Sequence, residues 1–104
     1  MSTPSRTAAK CDIVGGEKLP AQSGGPKALC AAIERAMAER VPGTKVTAEV
    51  RVLSPSRLRA TLRTDDGRVL DDQNYASSDR ALSRASFDRF AVGLAEALRK
   101  KAAR

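Results

Sequence analysis

Residues 46–62 read VTAEVRVLSPSRLRATL, and the way polarity alternates along them decides the fold. Val46, Ala48, Val50 and Val52 share one side of an extended chain, while Lys45, Thr47, Glu49 and Arg51 share the other. Successive side chains of a strand point to opposite faces, so this stretch is a strand with one buried face. Ser54-Pro55-Ser56 is a turn. After it Leu58, Ala60 and Leu62 point inward, and Arg57, Arg59, Thr61 and Arg63 point outward. The two runs form a hairpin with one apolar and one arginine-bearing face.

Downstream, Asp65-Asp66-Gly67 closes a second hairpin. A two-residue loop would set Leu62 opposite Asp71 and mix the faces. A three-residue loop with Gly67 in the left-handed conformation sets Leu62 opposite Leu70 and Thr61 opposite Asp71. That register predicts a third strand at about Arg68–Gln73, with Asp71 diagonal to Arg59 and Arg63. Upstream, Leu29, Ile33, Met37 and Val41 with Ala36 make an apolar stripe, while Glu34, Arg35, Glu39 and Arg40 face away. Pro26 suits a first turn and Pro42-Gly43 a stop, so a helix is expected over Pro26–Arg40.

The C-terminal helix carries Phe87, Phe90, Ala91, Leu94 and Leu98 at helical spacing. Its start has two readings, Ser86 as N-cap or an earlier turn from Ser78 and Asp79 toward Leu82. Arg99, Lys100 and Lys101 complement the negative end of the helix dipole. Residues 1–10 read as a disordered arm. Residues 11–25, CDIVGGEKLPAQSGG, are either a short strand at Cys11–Val14 followed by loop, or loop throughout. The expected domain is a single α+β unit over 11–101 with a basic tail at 102–104. It is a two-layer sandwich: a three-stranded antiparallel sheet, four if the first segment pairs, with two helices on one face, in the order (β)-α-β-β-β-α.

Net charge is +7, which ordinarily points to nucleic acid or an acidic membrane surface. Arg6, Lys10, Arg99, Lys100, Lys101 and Arg104 supply six of those charges from the two ends. Between them, residues 11–98 hold 13 Lys and Arg against all 12 Asp and Glu. The body of the molecule is almost neutral. No apolar run approaches the ~20 residues of a spanning helix. Residues 1–10 lack the apolar core of an export signal. The compartment therefore stays open: cytoplasmic as written, periplasmic if a signal was removed and the cysteines are oxidised.

The chain has no histidine. That removes the usual neutral-pH base, Ser-His-Asp and Cys-His catalysis, and imidazole metal sites. Two cysteines cannot build a four-cysteine zinc centre. Gly15-Gly16 and Gly24-Gly25 lack the Gly-Lys-Ser/Thr ending of a phosphate loop. Asp65-Asp66 and Asp71-Asp72 read as turn and solubility residues rather than a convergent acid pair. No cofactor is expected, and the protein is expected not to be an enzyme.

Cys11 and Cys30 lie 19 positions apart and bracket the Gly-rich segment. Bridged, they would anchor the N-terminal segment to the first helix; unbridged, they are two buried thiols. A staple matters because only Phe87, Phe90 and Tyr75 are aromatic, so the core is built of small aliphatics. Arg51, Arg57, Arg59 and Arg63 form the candidate binding face, with Glu49 and Asp71 interspersed and no aromatic for base stacking. The expected role is a non-catalytic module binding another protein by a sheet edge or this face. The alternative is a nucleic-acid-binding protein using the basic termini and the same arginines. Oligomeric state is not legible.

Helix–strand–strand–strand–helix is also the order of double-stranded-RNA-binding domains, whose second helix begins Lys-rich. Here that place holds Asp79-Arg80-Ala81-Leu82-Ser83-Arg84, and the likeness stops at the order. The order is similar, too, to the small periplasmic domains at the C-termini of TonB and TolA, a likeness of topology alone.

Overall fold

A computed structural model describes residues 9–42, 45–64, 67–70, 72–77 and 81–102. Its elements are β1 (Ala9–Val14), α1 (Gly25–Arg40), β2 (Val46–Ser54), β3 (Arg57–Thr64), β4 (Gln73–Ala76) and α2 (Arg84–Ala102). The hairpin read from residues 46–62 is β2 and β3. Ala48 pairs with Leu62, Val50 with Ala60 and Val52 with Leu58, and all six are buried. At the turn the Ser56 amide donates to Ser54 Oγ at 3.2 Å, a local bond that fixes the corner.

The sheet has four strands in the order β1-β2-β3-β4. The first segment is therefore a strand, and it starts at Ala9, two residues inside the expected arm. It pairs parallel to β2, from Ala9 with Val46 to Val14 with Arg51, so the sheet is mixed rather than antiparallel throughout. The reason is topological: parallel neighbours need a long return, and α1 supplies it. Gly15 turns the chain out of β1 at φ +81°, where a Cβ would sit 2.8 Å from the Val52 carbonyl oxygen. Two single 3-10 turns, Gly16–Lys18 and Ala21–Ser23, lead to α1. Buried Ser23 donates to the Pro20 carbonyl at 2.6 Å and accepts from the Gly25 amide at 3.2 Å. That hydroxyl ties the loop to the first turn of the helix.

The last strand departs from the sequence expectation. Gly67 has φ +92° and the Thr64 amide donates to the Arg68 carbonyl, in keeping with a three-residue connection. Leu70 then donates to the Leu62 carbonyl and Arg63 bridges Val69. Ala60, however, pairs with Gln73, so this side of the ladder gains one residue before β4 begins. The strand is Gln73–Ala76, not Arg68–Gln73. Leu70 and Tyr75 explain the shift. Their odd spacing would send them to opposite faces of a regular strand, and the extra residue turns both inward. Tyr75 meets the edge of Phe90 with centroids 6.0 Å apart and planes at 62°. Asp71, expected diagonal to Arg59 and Arg63, lies outside the described residues, as do Asp65 and Asp66.

Both helices cover the inner face. Leu29, Ala32, Ile33, Ala36 and Met37 of α1 and Phe87, Phe90, Ala91, Leu94, Ala95 and Leu98 of α2 share one core with the inward residues of the sheet. The helices run side by side in the same direction, bridged by Arg35 to Asp88 at 3.8 Å and Arg40 to Glu96 at 2.8 Å. Helix α2 begins at Arg84, with Ser83 rather than Ser86 as its cap, and the earlier turn expected from Ser78 and Asp79 lies outside the described residues. The Ser86 amide donates to Ser83 Oγ and the Ser83 amide donates to Ser86 Oγ, a reciprocal box built from two serines.

Candidate functional site

Among the described residues, no layer covers the outer face of the sheet. Strand alternation places Lys10, Asp12 and Val14 of β1, Thr47, Glu49 and Arg51 of β2, Arg57, Arg59, Thr61 and Arg63 of β3, and Asn74 of β4 on it. The register arranges them in rows across the strands. Val14, Arg51, Arg59 and Asn74 form one row. Asp12, Glu49 and Thr61 form the next, and Asp72 joins it by accepting from Thr61 Oγ1 at 2.7 Å. A groove of about 380 Å³ spans the two rows.

The four arginines picked from the sequence do not act as one patch. Arg63 lies 3.3 Å from the Glu49 carboxylate in a half-exposed ion pair. Arg57 stands at the hairpin end, opposite Ala76. Arg51 and Arg59 are direct cross-strand partners, both exposed. Arg59 Nε donates to Asn74 Oδ1 at 3.2 Å, which orients the guanidinium, and its terminal nitrogens meet no carboxylate among the described residues. Arg51 has no ion-pair partner among the described residues.

Sequence reasoning missed Asp12 and Asp72 on this face. Glu49 was legible on β2. Asp12 reaches the face only because β1 pairs with β2, and Asp72 only through the extra residue before β4. The signal for Asp12 was the pattern Cys11-Asp12-Ile13-Val14, whose alternate residues suit a half-buried strand.

Cys11 and Cys30 are joined by a disulfide, with Cα atoms 5.6 Å apart, tying the middle of β1 to the second turn of α1. Elsewhere a smaller hollow of about 320 Å³ lies between the helices, lined by Ala28, Ala31, Arg35, Arg84, Phe87 and Asp88. Its charged members Arg35 and Asp88 already face each other. Among the described residues no three His, Cys, Asp or Glu side chains converge as metal ligands would, and no helix is long and apolar enough to cross a membrane. Compared with protein-family models, with curated proteins and with solved structures, the chain matches none.

Proposed function

We propose that the protein is a small non-catalytic module that binds another protein across the outer face of its sheet. The observation that carries this reading is Arg51 set directly opposite Arg59 on that face. Like charges directly across a strand pair are unfavourable, and neither guanidinium has a carboxylate to offset the repulsion among the described residues. A local conflict of this kind is expected where function, rather than folding, chose the residue. The two sheet edges, β1 and β4, add positions where a partner's backbone could pair. The non-catalytic part rests on the chain's lack of histidine. The disulfide supports an oxidising compartment as the place of action.

The nucleic-acid alternative loses support from Asp12, Glu49 and Asp72, which share the groove with the arginines. A polyanion laid there meets three carboxylates. Arg6 and Arg104, on which that reading also leaned, lie outside the described residues.

A photo-crosslinking amino acid at Val14, which is 60% exposed beside Arg51, tests the proposal. The expected product is sensitive to protease and not to nuclease, is competed away by unlabelled protein, and is missing when the same group sits at Glu39 on α1. Nuclease-sensitive products, or equal yields from both positions, would overturn it.

A further inference from the structure

Resting on that protein-binding reading, the face itself carries a more specific statement about what it binds. We infer that its partner is a polypeptide segment of alternating charge, with an Asp or Glu carboxylate over the Arg51–Arg59 pair and a Lys or Arg over the Asp12–Glu49–Asp72 row. Three observations lead there. Arg51 and Arg59 stand opposite each other on adjacent strands with no carboxylate partner among the described residues, and Asn74 holds the Arg59 Nε. The carboxylates near them are either engaged elsewhere or left over: Glu49 by Arg63 at 3.3 Å, Asp72 by Thr61 at 2.7 Å, and Asp12 by no cation among the described residues. Both rows line one groove of about 380 Å³, so a single segment spans them.

Spacing sets the form of the ligand. The two rows are two residues apart along every strand, about 6.6–6.8 Å. An extended peptide laid along the strands presents its own i and i+2 side chains at the same interval. Opposite charges at i and i+2 therefore satisfy both rows together. A chain of one sign satisfies one row and is repelled by the other, whether it is a phosphodiester, an all-acidic peptide or an all-basic one.

Terminally blocked peptides ETKTETKT, ETETETET and KTKTKTKT, with a single-stranded oligothymidylate, are titrated at low salt into the disulfide-intact protein. Backbone amide and arginine Nε–Hε NMR signals are followed. The expected result is saturable binding of ETKTETKT, tighter than either one-sign peptide by at least about threefold, with shifts centred on Arg51 and Arg59. Arg51→Glu should weaken it about tenfold or more while the variant melts no lower than the parent, since an opposite-charge pair then replaces a like-charge one. Arg57→Glu, at the hairpin end, should stay within about twofold. If ETETETET binds most tightly and Arg51→Glu abolishes it, the alternating pattern is wrong and the protein-binding reading stands. Tightest binding by oligothymidylate overturns both. So does the absence of saturable binding to any probe, or binding indifferent to Arg51→Glu.

Discussion

Ser83 and Ser86 settle where α2 begins by exchanging two backbone-to-hydroxyl bonds at 3.1 and 3.3 Å. The first amides of a helix have no partner within it, and here side chains three residues apart satisfy two donors at once. Ser83→Ala removes one acceptor at a partly buried helix start and should lower stability by about 1 kcal/mol in a denaturant melt. Ser83→Asp, which keeps an acceptor at the cap, should retain most of it. An alanine variant as stable as the parent would mean that packing at Leu82 and Phe87, not the box, fixes the start. The sequence pointed at Ser86 because it precedes the phenylalanines. In the structure Ser86 is the returning half of the box, and its hydroxyl is why a serine is tolerated in a nearly fully buried position.

Among the elements, legibility follows how far each signal reaches along the chain. The β2–β3 hairpin and α1 announce themselves in single residues of correct period, and both formed where expected. β1 has the same alternation over six residues, but its parallel pairing depends on a partner beyond a whole helix, which no local pattern encodes. β4 was misplaced because alternation read through Leu70 could not foresee that Tyr75 also turns inward to reach Phe90. The candidate site was half legible for the same reason: its arginines lie on the hairpin, while Asp12 lies on β1 and Asp72 just ahead of β4. The face assignment can be tested by a contrast across the sheet. Phe90 is 4% exposed at the junction of α2 and Tyr75. Phe90→Ala should cost about 3–5 kcal/mol. Arg59→Ala on the open face should stay within about 0.5 kcal/mol. The reverse order in paired denaturant melts would mean the inner and outer faces are exchanged.

At the scale of the whole molecule, the disulfide decides how firmly the first strand belongs to the rest. β1 is held by β2 on one side, by α1 beneath it, and by Cys11–Cys30 through its middle. Closing a loop of this length is worth about 3 kcal/mol in the chain-entropy treatment. A reductant should lower stability by about that amount, and amide exchange should quicken more in Ala9–Val14 than in the β2–β3 hairpin. Equal acceleration in both would show that β1 and the hairpin open as one unit. A further consequence concerns solubility. When β1 leaves, β2 is stripped on one side over Val46–Arg51, with Val46, Ala48 and Val50 set in sequence along it. Such a bare, hydrophobic strand is a template for like chains. Two sulfur atoms thus stand between the folded chain and a nucleus of self-assembly, so light scattering in concentrated solution should follow the thiol redox state more closely than the protein's net charge of +7.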